Sequence, residues 1–174
     1  MKILVLTMGG TIDAEAFPEG QSPLYSTPAQ RRLSMTTLRT IAEARGQAIE
    51  FICIPVCNKD SKDYTDQDRD NLYKIAHENA GVYPRIIITT GTDKMTDTAK
   101  NLKSRIGDNP ACPIVFTGAM RPLANKDTDG RENLELAAFG NPDAAPDIYI
   151  AMHGHFVPCG QIYKDFDKKK FVLK

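Results

Sequence analysis

An α/β fold of three layers, with a mostly parallel sheet covered by helices on both faces, is predicted by two observations. Short apolar runs such as residues 3–6 and 86–88 show no polar alternation, the pattern of strands buried on both sides. Between them lie stretches with helical spacing, so strand and helix alternate along the chain as parallel crossovers require. At 174 residues the chain suits one well-packed domain, residues 1–174, better than two.

The elements follow in order. Residues 3–6 form the first strand. Residues 12–28, rich in Pro, Gly, Ser and Glu, read as a long loop of the length that often makes an active-site lid. A helix is clearest over 36–45, with Leu38, Ile41 and Ala42 on one face and Gly46 as its stop. Residues 48–56 are apolar and β-prone, a second strand. Thr65 caps a helix over 66–78 whose Leu72, Ile75 and Ala76 face inward. A third strand spans 85–90, and the helix after it ends near Leu102-Lys103. Residues 113–117 give a fourth strand, followed by a loop and a helix over 131–139. Residues 147–152 make the fifth strand, and 161–163 and 171–173 add short terminal strands. The whole reads as a single Rossmann-like (flavodoxin-like) domain.

Composition narrows the function. Lys and Arg number 22, as do Asp and Glu, so the net charge is zero. Nothing here draws the chain to nucleic acid or to an anionic membrane, which leaves small molecules or other proteins as partners. No apolar stretch approaches membrane-spanning length. The short amino-terminal apolar run, ending in Gly9-Gly10, makes a poor signal peptide, and a cytoplasmic protein is expected. Cys53, Cys57, Cys112 and Cys159 form no disulfide framework. His153, His155 and Cys159 offer three zinc ligands close together, but the spacing matches no common zinc pattern and a fourth ligand is missing. They read as loop residues near a strand end; neither metal nor cofactor is expected.

The chemistry-bearing residues follow the strands. Gly9-Gly10-Thr11, Asn58 to Ser61, Gly91-Thr92-Asp93 and Gly118 to Arg121 all leave strand carboxyl ends. In a parallel sheet these lie on one edge and can converge on one crevice. Two glycines allow a sharp turn that presents the Thr11 hydroxyl there, as a ligand hook or a nucleophile. Asp93 reads either as a helix N-cap or as the partner of a base, for which Lys164 is a candidate. By spacing alone Lys164 equally resembles the solvated Lys168, Lys169 and Lys170. Asp60-Ser61-Lys62-Asp63 is an exposed turn before a helix or a binder of a carboxylate or amide. Gly9-Gly10-Thr11 lacks the G-x-G-x-x-G spacing and no G-K-[ST] follows it, which argues against nucleotide binding. No G-x-S-x-G elbow is present.

Taken together, the segments resemble the amino-terminal domain of the bacterial-type L-asparaginase/glutaminase family. Met8-Gly9-Gly10-Thr11-Ile12 is similar to the family's T-G-G-T-I, and residues 89–95 to its H-G-T-D-T-M. Residues 117–122 contain G-A-M-R-P, and residues 129–134 match D-G-x-x-N-L. They occur in the family's order and cover almost the whole chain. The resemblance implies that Thr11 is the nucleophile and Tyr25 the tyrosine that assists it. Thr92 and Asp93 match the second threonine and its aspartate, and Lys164 the lysine completing that triad. Gly10, Ser61, Lys62, Asp63, Gly91 and Ala119 are the implied substrate-binding positions. The implied reaction is hydrolysis of the side-chain amide of asparagine or a related small amide in two steps through an acyl-enzyme.

Two departures stand out. Met8 replaces the usual threonine, and Lys62 replaces an uncharged residue and can attract a further carboxylate. Family enzymes also carry a carboxyl-terminal domain, and a neighbouring subunit's copy completes each site, whereas this sequence stops soon after Lys164. A homo-oligomer, dimer or tetramer, is therefore expected. The competing expectation is a small-molecule binding protein or degenerate paralogue without turnover, which ammonia release from a panel of amides distinguishes.

Overall fold

The protein is represented by a computed structural model that describes residues 1–16 and 32–174. Five strands run parallel: β1 (Lys2–Thr7), β2 (Glu50–Pro55), β3 (Ile86–Thr89), β4 (Ile114–Thr117) and β5 (Ile148–Met152). A sixth strand, β6 (His155–Pro158), pairs antiparallel with β5 and gives the order β2-β1-β3-β4-β5-β6. This is the predicted open α/β sheet.

The absence of polar alternation in the strands has a direct cause, since both faces are covered. Leu4, Leu6, Ile86, Ile88, Ile114 and Phe116 point to one core layer, with Leu72 and Ala76 of α2 (Asp66–Asn79) and Ala99 and Leu102 of α3 (Met95–Ile106). Their neighbours Ile3, Val5, Ile87 and Val115 point the other way. There they meet Leu38 and Ile41 of α1 (Arg32–Ala44) and Leu134 and Ala137 of α4 (Gly130–Phe139). Removing both faces of each strand from water, at about 25 cal/mol per Å² of apolar surface, is the main force holding the layers together.

Three elements differ from expectation. First, α1 begins four residues early. The segment after β1 is not all loop, because Thr11–Asp13 forms a short 3₁₀ turn. The buried Asp13 carboxylate accepts hydrogen bonds from the backbone N–H and the hydroxyl of Ser34, at 2.9 and 3.0 Å. A carboxylate at the unsatisfied N–H groups of a helix start stabilises that start, and no local signal near residue 32 announces it. The rest of the expected loop, with Tyr25, lies outside the described residues.

Second, β6 was not expected. His153 and Gly154 take φ values of 51° and 81°, the two positive values of a type I′ turn, whose twist suits a two-residue hairpin. Third, among the described residues the terminal strands β7 (Ile162–Asp165) and β8 (Lys170–Leu173) pair only with each other, as a separate antiparallel hairpin. Ile162 and Phe171 anchor that hairpin in the core layer beside α2 and α3. Among the described residues no helix is long and apolar enough to cross a membrane.

Candidate active site

The sheet order places β2 on one side of β1 and β3 on the other, so the chain changes direction of winding between β1 and β3. Ligand crevices of open α/β sheets form at such a switch point, beyond the strand carboxyl ends. Gly9-Gly10-Thr11 leaves β1 there and Thr90 to Asp93 leaves β3.

Close backbone approach explains the glycines. Gly10 has φ 86°, and a Cβ on it would lie 2.3 Å from the Gly91 nitrogen. A Cβ on Gly91 would lie 2.8 Å from the Ser61 hydroxyl oxygen. Three turns thus converge where no methyl group fits. Thr11, half-buried, opens the 3₁₀ turn, and its carbonyl accepts from the Ala14 N–H at 3.1 Å.

Lys164 enters this cluster from β7. Its Nζ donates to the Thr92 hydroxyl at 2.8 Å and also to Asp93, forming an ion pair, and its side chain is only 8% exposed. The Phe166 ring lies over the ammonium at 5.1 Å. Lys62 pairs with the other Asp93 oxygen at 2.7 Å, its own side chain 62% exposed. Asp93 does not cap α3: the N-cap position is Lys94 and carries no side-chain cap. The Lys94 N–H instead donates to the Ser61 hydroxyl at 3.2 Å.

Burial works against the charge on Asp93, but hydrogen bonds from Lys164 and then Lys62 outweigh it, and hold its carboxyl below the ordinary carboxylate range. A depressed folded-state value gives stability that is present above the ordinary carboxylate value of 3.8 and lost as pH falls through the folded value. Urea unfolding should therefore show wild type more stable than Asp93→Asn at pH 6, with the gap narrowing as pH falls below 3.8. An unchanged gap at the lower pH would refute this account of the bridge.

Ser61, Lys62 and Asp63 form a 3₁₀ turn, whose start is capped by Asp60 accepting from the Lys62 N–H at 2.9 Å. Ser61 is buried against Gly91, whereas Asp63 is exposed. Ala119 sits at the same sheet edge beyond β4, its methyl buried in the core layer of α1 and α4.

Tyr64, next in sequence, escaped the sequence reading. Its buried hydroxyl lies 2.7 Å from the Thr90 hydroxyl and 3.4 Å from both the Met8 carbonyl and the Gly91 N–H. Burial pushes its phenol well above the ordinary value, so it stays neutral and braces the backbone beneath the crevice. The only hint was a tyrosine in a polar turn, since a buried tyrosine needs a partner for its hydroxyl.

A second polar cluster lies farther along the edge. Asp129 accepts from the N–H groups of Met120 and Arg121 and from the Asn133 amide at 2.9 Å. Desolvation opposes its charge, but hydrogen bonds from His153 and then from the N–H groups of Met120 and Arg121 keep it below the ordinary range. Cys159 is buried in the core, and His153 is engaged with Asp129 and Phe171. Among the described residues no group of three or more His, Cys, Asp or Glu is placed to hold a metal ion.

Fold and site thus define an open α/β protein at whose switch point a buried lysine meets a hydroxyl and a carboxylate. The chain belongs to the asparaginase family: residues 2–170 match the family model described as "Asparaginase, N-terminal". It is 31% identical over 151 residues to an L-asparaginase of Thermococcus kodakarensis, covering 87% of this chain and 44% of that protein. It is 32% identical over 172 residues to a probable periplasmic L-asparaginase of Haemophilus influenzae, covering 93% and 46%. The solved thermostable L-asparaginase from Thermococcus kodakarensis superposes with a TM-score of 0.78 at 25% identity, over 99% of this chain and 51% of that one. A probable cytoplasmic L-asparaginase from Campylobacter jejuni shares the fold, with a TM-score of 0.72 at 22% identity and the same coverage. The chain spans about half the length of the relatives it matches.

Proposed function

We propose that this chain hydrolyses the side-chain amide of asparagine, or of a related small amide, with Thr11 as nucleophile. The Thr11 oxygen attacks the amide carbon, the C–N bond breaks, and ammonia leaves with the proton it gains. Water then attacks the ester so formed and restores the Thr11 hydroxyl. Lys164, held between Asp93 and the Thr92 hydroxyl, would carry the proton between that hydroxyl and the reacting oxygen. Backbone N–H groups near Gly91 and Thr92 would face the developing oxyanion. Tyr25 would assist Thr11. Gly10, Ser61, Lys62, Asp63 and Ala119 would form the remaining substrate positions.

The observation that carries this reading is the bond from Lys164 to Thr92. A solvated lysine has no reason to be buried against a hydroxyl and a carboxylate at the crevice edge. Ammonia release from asparagine, glutamine and a panel of small amides tests the proposal. Release matched by the corresponding acid supports it. Binding without turnover across the panel would replace it with a small-molecule binding protein.

Further expectations belong to the same reading. A dimer or tetramer, visible by light scattering, would allow a neighbouring subunit to complete the crevice. The cytoplasm suits four cysteines that are not in disulfides. Lys62 leaves the crevice edge with two ammonium groups on one carboxylate. Lys62→Gln should thus raise KM about two- to fivefold for amides bearing an additional carboxylate, the size of an exposed ion pair. Neutral amides should be unaffected, and an equal rise for both would rule out carboxylate recognition.

A further inference from the structure

We propose that His153 is a positioning residue that holds the β7–β8 hairpin so that Lys164 reaches Thr92 and Asp93. The proposal rests on the reading of Lys164 given above, but on none of the residues assigned to substrate.

The hairpin has no ladder to the six-stranded sheet, so its alignment depends on packing and on bonds outside any ladder. One such bond runs from the Phe171 N–H to His153 Nδ1 at 3.0 Å. Phe171 is the residue directly opposite Lys164 in the β7–β8 register. Because its N–H points away from β7, Lys164 and Phe171 form a non-hydrogen-bonded pair, the kind in which facing residues come closest. The His153 ring meets the Phe171 ring edge-on, with centroids 6.0 Å apart. A displacement at Phe171 is thus felt directly at Lys164.

His153 is itself held at three points. A nitrogen that accepts the Phe171 N–H carries no hydrogen, so the ring hydrogen is on Nε2, which donates to Asp129 at 3.1 Å. The His153 backbone N–H donates to the Asn133 side-chain oxygen at 2.9 Å. The Asn133 amide in turn donates to the Gly118 carbonyl and to Asp129. Asp129 and Asn133 are the polar members of D-G-x-x-N-L, which no step of the reaction uses. They fix an imidazole whose far nitrogen locates the hairpin. The left-handed backbone of His153, φ 51°, aims the ring at β8.

Two substitutions separate the two ring nitrogens. His153→Asn keeps an acceptor at the Nδ1 position and tolerates positive φ, but loses the bond to Asp129. His153→Gln keeps a donor near the Nε2 position and loses the acceptor for Phe171. The readouts are amide exchange at Phe171, the NMR signal of the Lys164 ε-methylene group, and kcat and KM for ammonia release. In His153→Gln, Phe171 exchange should rise tenfold or more and the Lys164 signal should move toward that of a solvated lysine. Its kcat should fall at least tenfold with KM within twofold, as expected for a misplaced catalytic group. His153→Asn should keep the wild-type Lys164 signal and kcat within threefold. Equal behaviour of the two variants would overturn the proposal, as would faster Phe171 exchange with an unmoved Lys164 signal. If wild type releases no ammonia from any amide, the proposed reaction fails alone, and the Lys164 signal still decides the role of His153.

Discussion

Thr11→Val and Thr92→Val should each abolish ammonia release, with kcat down by about a thousandfold or more, the scale seen when a nucleophile or its proton relay is lost. Valine keeps the β-branched shape of threonine and removes only the hydroxyl, so the effect isolates the chemistry. At Thr11 it removes the oxygen proposed to attack the amide. At Thr92 it removes the acceptor of Lys164 Nζ and leaves an ammonium beside a methyl group. The stability cost should stay near 1–3 kcal/mol for the partner left unsatisfied, so both proteins should be folded when assayed. The double variant should be no slower than either single one, because groups acting in one relay are not additive. Wild-type rates in either variant would sink the mechanism, even if the family assignment stands.

Gly10→Ala should be the most damaging substitution to the fold of the crevice. Its φ of 86° is strained for any L side chain, and the new methyl would meet the Gly91 nitrogen at 2.3 Å. That obstacle is backbone, not a side chain that can swing away. Strain of roughly 1–3 kcal/mol adds to overpacking of similar size, so a loss of about 2–6 kcal/mol in urea unfolding is expected. Gly46→Ala is the matched control. It shares a positive φ, 65°, but has nothing within 4 Å, so it should cost only about 1 kcal/mol. Equal losses at the two positions would show that close approach of the turns is not what Gly10 provides. Activity adds a second reading, since the turn that carries Thr11 must shift to admit the methyl.

The parallel core was legible because burial on both faces leaves a plain mark: unbroken apolar runs between helical stretches. The Thr65 cap was legible as well, and the structure adds the reciprocal bond, which the Thr65 N–H donates to the Asp68 carboxylate. Features made by distant partners left no local mark. The α1 start depends on Asp13, which lies 21 positions before its partner Ser34. Lys164 lies 72 positions from Thr92, so spacing alone left its two readings open and only the placement of β7 brings the two together. The His153-Gly154 turn resembled a loop because its hairpin signal is usually carried by Asn-Gly. Tyr64 and Asp129 are polar residues whose roles appear only when the carbonyls and N–H groups around them are in place.

The Asp13–Ser34 clasp has a consequence for how this chain can vary. It closes a ring of backbone at its neck, so whatever lies between the two residues starts and finishes at one fixed point. Lengthening or shortening such a ring changes its closure entropy only logarithmically, about 0.6 kcal/mol for a doubling. The sheet therefore tolerates wide change in the segment that contains Tyr25. Changes in the length of that segment should thus leave thermal stability nearly unmoved, whereas substitutions at Asp13 or Ser34 should lower it.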